Sequence, residues 1–420
     1  MLGFALAFRE KLRGVTSVVY RFCAGLLEEA DAARMKSNGS KALRFAQLRL
    51  ANWRNFVRVH VALQGRVFLI GPNASGKSNL LDAFRFLHDL VALGGGFQEA
   101  IAKRGGVSKL RCLAARRYPD VEIGVAVGGE GGQPDWEYDL SFSQDNRQRP
   151  FLRREVVRRS GEEILRRPGI DDERDPAQLH QTHIEQVNVN RGFRELAQFF
   201  RTVRYLHLVP QLVRETDRYV GRGQDPFGSD FLEQVALTPD RTRNARLRKI
   251  GEALKVAVPQ LQQFQFFRDE LGTPHLRGRY EHWRPQGAWQ TEEQFSDGTL
   301  RLLGLLWAVL DESGPLLLEE PELSLHPDVV RFLPQMFARM QRRTGRQVLV
   351  SSHSADLLRD EGIGLDEVLL LKPAPEVTRV KVATNLSQAK ALVEGGVPLP
   401  DALLPETRPP KPQQLALFGI

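Results

Sequence analysis

Short unbroken apolar runs and longer periodic ones alternate along this chain, and their bounds predict its elements. Val67 to Ile70, the start of Leu316 to Glu322 and Val348 to Val350 read as buried strands. Leu43 to Leu50, Val121 to Val127 and Trp136 to Phe142 alternate apolar and polar residues, which predicts an antiparallel sheet flanking the first of these strands. Helical periods start at Lys77 and, behind Ser296 and Asp297, run through about Leu310. From about Ile170 to Leu261 the pattern is helical again, with Phe193, Leu196, Phe199 and Phe200 on one face and Leu247, Ile250 and Leu254 on another, ending at Pro259. No heptad repeat is sustained, so a compact helical lobe is expected there rather than a long coiled-coil arm. Gln263 to Phe267 and His275 to Trp283 are strand-like and return the chain to the second half of an α/β domain that ends near Thr384. The expected division is an N-terminal extension 1–40, a first half 41–169, a helical insert 170–262, a second half 263–386, and a C-terminal helix with a Pro-rich tail 387–420.

Composition narrows the class. The chain has 420 residues, enough for a large core and two or three structural units. Its two cysteines, Cys23 and Cys112, provide neither a disulfide framework nor metal spacing, which points to a reducing compartment. No uncharged apolar run approaches a membrane span, and the stretch around Arg9 to Arg13 lacks the apolar core and cleavage site of a leader, so a cytoplasmic protein is expected. Met35, followed by Lys-Ser-Asn-Gly-Ser, looks like an alternative chain start.

Candidate chemistry is concentrated at four places. Gly71 to Ser78 reads Gly-Pro-Asn-Ala-Ser-Gly-Lys-Ser between the Val67 strand and the Lys77 helix. This is the spacing of a phosphate cradle: without bulky Cβ groups, consecutive backbone N–H groups can turn inward to anionic oxygens at a helix N-terminus. Gly71 and Gly76 allow the turn, Lys77 is placed for the β and γ phosphates, and the Ser78 hydroxyl for the accompanying Mg²⁺. Leu316 to Glu322 ends in adjacent carboxylates, a pair too costly to bury without a cation. Glu319 can hold the Mg²⁺ through its water shell, and Glu320, pointing the other way along a strand, can polarise an attacking water. His353, after Ser351 and Ser352, can donate to a γ phosphate. Ser296 to Gly298 opens an apolar helix whose N-terminus is an anion site. Taken singly, the last three have ordinary explanations: a solvated acidic turn, a structural histidine, a helix cap.

Together, in this order, the four resemble the ABC ATPase superfamily, and in detail its branch of SMC, RecF and overcoming-lysogenization-defect (OLD) ATPases. The loop is similar to that branch in carrying Asn73 and in its sequel Asn79-Leu80-Leu81-Asp82-Ala83, and Asn52-Trp53-Arg54-Asn55-Phe56 resembles its Asn-Phe-Arg element. Ser296 to Arg301 and Glu319-Glu320-Pro321-Glu322-Leu323-Ser324-Leu325-His326-Pro327 look most like stand-alone AAA_21-type members. The resemblance implies an ABC-ATPase head, a P-loop NTPase with a mixed sheet, a flanking antiparallel β subdomain and a helical insert. It also implies ATP and Mg²⁺ bound by Gly71, Asn73, Gly76, Lys77, Ser78, Asn79 and Arg54, with Ser78 and Glu319 at the metal and Glu320 and His353 catalytic. Ser296 and Gly298 would complete the site from a second copy, so that a homodimer sandwiches two ATP molecules, joining when ATP binds and separating on hydrolysis. Two positions depart from the pattern: Asp297 stands where a transporter signature has a second glycine, and Glu319 where aspartate is more common. Both bear on hydrolysis rate rather than on ATP binding. Gln98 is the candidate for the Q-loop glutamine.

Charge and tail suggest partners. The net charge is +8, and between Arg147 and Arg167 eight arginines face three glutamates, a local +5; Arg241, Arg243, Arg246, Arg248 and Lys249 crowd a helix start. Duplex DNA would fit such surfaces through sequence-independent phosphate contacts, the alternative being a solvated arginine-rich surface. After the Pro-rich stretch 408–412, Gln414 to Phe418 is similar to the Gln-Leu-x-Leu-Phe peptide with which bacterial proteins hold the sliding clamp; it could equally pack on the chain's own core or on a dimer partner. Two functional classes follow: an ATP-gated DNA-binding ATPase of repair or genome maintenance, and the ATPase half of an OLD-like anti-phage system working with a separate nuclease. The 67 residues after His353 hold no Asp-x-Asp pair for a nuclease site in cis. A transporter ATPase is disfavoured by Asp297 and the basic balance.

Overall fold

The computed structural model describes residues 42–115, 118–129, 131–214, 225–283, 288–311, 314–408, 413–414 and 418. The 1–40 extension with Cys23 and Met35, the Pro-rich residues 409–412 and the centre of the clamp-like peptide, 415–417, lie outside them.

In chain order the strands are β1 (Arg44–Trp53), β2 (Phe56–Ala62), β3 (Arg66–Ile70), β4 (Val121–Gly128), β5 (Trp136–Gln144), β6 (Pro150–Arg159), β7 (Glu162–Arg167) and β8 (Arg204–Leu206). They continue as β9 (Leu261–Arg268), β10 (Pro274–Tyr280), β11 (Ala288–Thr291), β12 (Leu316–Glu319), β13 (Val348–Ser352), β14 (Val368–Pro373) and β15 (Thr378–Val382). Two compact units divide them. One takes in Lys41–Tyr205, Glu312–Glu322 and Arg331–Ile420; the other takes in Leu206–Asp311 and Leu323–Val330.

The first unit contains two six-stranded sheets. One is antiparallel in the order β2-β1-β4-β5-β6-β7, and the other runs β15-β14-β3-β13-β12-β8. In the second sheet β12, β13, β3 and β14 are parallel neighbours, with β15 antiparallel at the edge. The apolar runs recognised in sequence, β3 and β13, are buried along their whole length, as a strand covered on both faces requires. The helix Lys77–Val91 follows β3. Its buried positions, Leu80, Leu81, Ala83, Phe84, Phe86, Leu87, Leu90 and Val91, leave a polar residue at every third place, so it is enclosed rather than half-exposed. Phe84 meets Phe45 of β1 at 4.7 Å and Phe86 meets Trp53 at 5.4 Å, which ties the helix to the antiparallel sheet. Truncating fully buried Phe86 to alanine would cost about 3–5 kcal/mol.

The second unit packs helices Phe231–Leu237, Asp240–Ala257 and Asp297–Leu310 with a three-stranded sheet, β11-β10-β9. Its core includes Val235, Ile250, Leu254, Leu276, Leu300, Leu303 and Trp307. The insert expected at 170–262 divides differently. Phe193, Leu196, Phe199 and Phe200 form the expected apolar face, but they belong to the core of the first unit with Phe45 and Tyr138. The helix Asp297–Leu310, expected in the second half of the head, groups with the residues from Leu206 onward. Periodicity identifies which face is apolar and carries no information on what covers it.

The arginine-rich run became the β6–β7 hairpin, and seven of its eight arginines have a carboxylate partner. Arg149 pairs with Asp145, Arg153 with Asp120, Arg154 and Arg158 with Asp139, Arg159 with Glu195 and Arg166 with Glu163. Arg167 is buried on Glu155 and Asp172. The local +5 read from the sequence is therefore largely met, by nearby Asp145 and Asp172 and by Asp120, Asp139 and Glu195 from segments outside the run.

Candidate functional site

Backbone sterics build the phosphate loop. A Cβ on Gly71 would stand 2.6 Å from Ser75 Oγ and 2.7 Å from the Leu371 carbonyl oxygen, and one on Gly76, at φ +90°, would overlap the Asn55 amide. Only glycine fits either position. Asn55 braces the loop: its Nδ2 donates to the Ser75 carbonyl (3.1 Å) and to Thr378 Oγ1 (2.8 Å), and its Oδ1 accepts from Asn79 Nδ2 (2.9 Å). Lys77 is buried, its ammonium donating to the carbonyls of Gly71 (2.9 Å) and Pro72 (3.2 Å). Burial lowers its pKa, against the opposing pull of Glu320, Glu319 and Glu322. Asn73 and Ser78 are exposed, whereas Ser75 Oγ is buried with no partner.

Glu319 ends β12 and both its oxygens are engaged: Ser78 Oγ donates to Oε1 and the Tyr205 hydroxyl of β8 to Oε2. Burial, then the charge and hydrogen bond of Glu319, push the Tyr205 pKa far up, so the phenol stays a donor. The Arg85 guanidinium lies 5.2 Å over its ring. Among the described residues no cluster of three or more His, Cys, Asp or Glu side chains could hold a metal by itself. One carboxylate and one hydroxyl, both oxygen donors, do fit Mg²⁺, which keeps several waters and takes its remaining ligands from phosphate.

Glu320 differs from expectation in how it is aimed. The strand stops at Glu319, and Glu320 adopts a left-handed φ of 44°, its N–H held by the Ser351 carbonyl at 2.9 Å. That turn, not strand alternation, separates the two carboxylates. Glu320 Oε1 lies 3.2 Å from His353 Nδ1, and the histidine, directly after β13, is half-exposed. Glu322, absent from the sequence candidates, is buried beneath them. It accepts from Ser352 Oγ, its Oε2 has no partner, and burial raises its pKa.

Two expected residues point elsewhere. Arg54 lies 3.4 Å from Asp82 Oδ2 and donates to the Lys109 carbonyl at 3.4 Å, while Asp82 also pairs with Arg104 at 2.7 Å. In Asn-Trp-Arg-Asn-Phe it is thus Asn55 that touches the loop. The Gln98 amide donates to the carbonyls of Pro150 (3.0 Å) and His180 (2.7 Å).

In the second unit, Ser296 caps the helix Asp297–Leu310: its Oγ accepts from the Thr299 N–H at 3.2 Å and lies 2.8 Å from Thr299 Oγ1. A Cβ on Gly298 would overlap the Ser324 carbonyl, so this glycine permits a close backbone approach. Asp297, the departure noted in sequence, is paired with Arg214 at 2.7 Å. The guanidinium compensates the charge that a transporter-type glycine would not carry.

Comparison with known proteins agrees with this geometry. Residues 66–360 match the AAA_21 family, described as "AAA domain, putative AbiEii toxin, Type IV TA system". The DNA replication and repair protein RecF of Brucella abortus (strain 2308) is 38% identical over 93 residues, covering 21% of this chain and 24% of that protein. RecF of a Picosynechococcus species is 32% identical over 88 residues, 20% of this chain and 23% of that one. The match thus spans about a quarter of these relatives. Among solved structures, the SmcHead bound to the C-winged helix domain of ScpA shares the fold at a TM-score of 0.50 and 12% identity, over 80% of this chain and 96% of that one. A match to more than half of the chain decides the family: the chain belongs to the AAA_21 family, and its fold is shared with an SMC head.

Proposed function

We propose that the chain binds Mg-ATP in the Gly71–Ser78 cradle of one copy, closes over it with the Ser296–Gly298 helix start of a second, and couples the resulting dimer to duplex DNA in repair or genome maintenance. The carrying observation is that Lys77, Ser78, Glu319, Glu320 and His353 all stand at the C-terminal ends of the parallel strands β3, β12 and β13, where open α/β sheets bind ligands. Bound Mg²⁺ supplies positive charge at the β and γ phosphate oxygens. Lys77 exchanges its loop carbonyls for phosphate oxygens, Tyr205 and Ser78 hold Glu319 in one orientation, and Glu320 accepts the proton of the attacking water. His353, beside Glu320, orients that carboxylate and donates to the γ phosphate. Ser296 of the second copy adds a hydroxyl donor, and loss of the γ phosphate removes the bond between copies. Arg54 reaches the nucleotide only by leaving Asp82.

The DNA part is supported by the RecF relatives' printed role in replication and repair and by the net charge of +8. The exposed Phe418 is compatible with a clamp peptide at Gln414–Phe418. A cytoplasmic setting fits such a role, and no helix of the described residues is long and apolar enough to cross a membrane. The family description, which names a toxin, supports the second reading: a defence ATPase acting with a separate nuclease subunit. Recovery of a nuclease with the purified ATPase would favour that reading, and retention on the clamp the first.

ATP turnover and solution mass of wild type, Lys77→Ala and Glu320→Gln test the proposal. Lys77→Ala is expected to abolish nucleotide binding. Glu320→Gln is expected to lower turnover by about 10²–10⁴-fold and to remain dimeric in Mg-ATP. A wild-type protein that stays monomeric in saturating Mg-ATP, or a Glu320→Gln variant that turns over normally, overturns it.

A further inference from the structure

The three-stranded sheet of the second unit has two unlike faces, fixed by its register. Leu276 lies opposite Phe266, and Gly278 opposite Phe264 and Gln290, on one face; His275 lies opposite Phe267, Arg277 opposite Gln265, and Arg279 opposite Gln263 and Trp289, on the other. The first face is core: Leu276 is fully buried, and Phe264 packs on Phe295 with ring centroids 6.2 Å apart.

Among the described residues the second face is only partly covered: Gln263 and Trp289 are exposed and the others half-buried. The Arg277 guanidinium lies between two rings, 4.8 Å from Phe267 and 4.6 Å from Trp289. With its amide oxygen turned to the guanidinium, Gln265 accepts from Arg277 Nη2 at 2.8 Å and Nε at 2.6 Å. His275 stacks on Phe267 at 5.3 Å and completes the support. Trp289 stays 42% exposed. Neither Arg277 nor Arg279 pairs with a carboxylate among the described residues, and Arg279 Nε is buried without a hydrogen-bond partner. The acids nearby are engaged otherwise, Glu292 with His275 at 2.6 Å and Asp269 at 3.7 Å from the same ring.

A part-exposed indole next to two guanidinium groups that have no carboxylate partner among the described residues matches a ligand that is both flat-ringed and anionic. Single-stranded nucleic acid has both properties. A duplex hides its base faces in the stack, and an acidic peptide would satisfy the arginines but leave the indole unused. We propose that this face binds single-stranded nucleic acid, with a base on Trp289 and phosphates at Arg277 and Arg279. The proposal rests on the nucleic-acid part of the function above and not on ATP hydrolysis, and it adds a single-strand contact to the duplex contact proposed there.

The test is fluorescence anisotropy of the full chain, with and without Mg-ATP, against labelled oligothymidine and a labelled duplex, with folding of each variant checked by thermal melting. Trp289→Ala and Arg279→Ala are each expected to weaken oligothymidine binding about tenfold, with Trp289→Phe restoring most of it and duplex binding unchanged. The Arg279 side chain holds no bond to another described residue, so its loss reports on the ligand rather than on folding. Three results overturn the proposal: no oligothymidine binding by wild type, wild-type affinity in both alanine variants, or displacement by poly-glutamate as effective as by unlabelled oligothymidine. If oligothymidine fails while the duplex binds, only this inference falls; if neither binds, the nucleic-acid reading falls with it.

Discussion

Arginines in the first unit are mostly held by carboxylates, several with a ring added, whereas in the second unit Arg268 and Arg277 rest on rings with no carboxylate among the described residues. In the first, Arg167 is buried on Glu155 and Asp172, Arg104 on Asp82 and Asp89, and Arg66 on Glu367. In the second, Arg243 lies 4.1 Å over Phe266, Arg246 5.3 Å over Trp307, and Arg277 between Phe267 and Trp289. Asp240 and Asp311 do approach Arg243 and Arg246, at 2.8 and 3.7 Å, so the contrast is one of degree. A carboxylate cancels the charge and makes the pair a structural element. A ring holds the guanidinium in place without neutralising it, and the charge stays available to an outside anion. Counting arginines in a window of sequence merges the two cases: it pointed both to the β6–β7 hairpin, where seven of eight have a carboxylate partner, and to the helix start at Arg241–Lys249.

The comparison can be broken or sharpened by substitution. The largest effect is expected for Arg167→Ala, which leaves Glu155 and Asp172 buried without their cation; a loss of about 3–5 kcal/mol should appear in chemical denaturation, and a loss under about 1 kcal/mol would mean the pair is not structural. Arg246→Ala should cost about 1 kcal/mol, the scale of a cation held on a ring at the surface. A smaller effect concerns pH. Burial alone would lower the His275 pKa, but the hydrogen bond and charge of Glu292, then Asp269, raise it on balance. A histidine whose folded pKa is raised contributes stability that is fully present below about pH 6.5 and is lost as pH rises through the folded value. Melting temperature should therefore fall across that window in wild type and fall less in His275→Gln; parallel curves would refute the assignment. The smallest effect is expected for Arg154→Ala, which should leave duplex affinity within about twofold, since Arg154 is already drawn to Asp139 beside Arg49 and Arg158. A tenfold loss would restore the hairpin as the DNA surface.

The phosphate loop was legible because it is local. Gly71, Gly76, Lys77 and Ser78 act through backbone geometry and side chains within one octet, and the strand and helix around them follow from apolar periodicity over a few residues. Glu319, Glu320 and His353 were legible for a related reason: each ends or follows a short apolar run, and parallel strands gather such ends at one edge. The partners that hold these groups were not. Asn55 reaches Thr378 and Tyr205 reaches Glu319 across long loops, and Arg214 settles Asp297 from 83 residues away.

By itself the amino-acid order determined that a glycine-built strand-to-helix loop, an acidic strand end and a capped helix exist in this chain, because each is a short-range consequence of residue size, hydrogen-bonding capacity and period. Which carboxylate meets which arginine, why Glu320 turns away from Glu319, and which guanidinium rests on rings without a carboxylate among the described residues were decided only by the tertiary structure. Those outcomes depend on charges and rings drawn from strands far apart in sequence, and an interaction that falls off within a few ångströms cannot be assigned until the fold has set the distances.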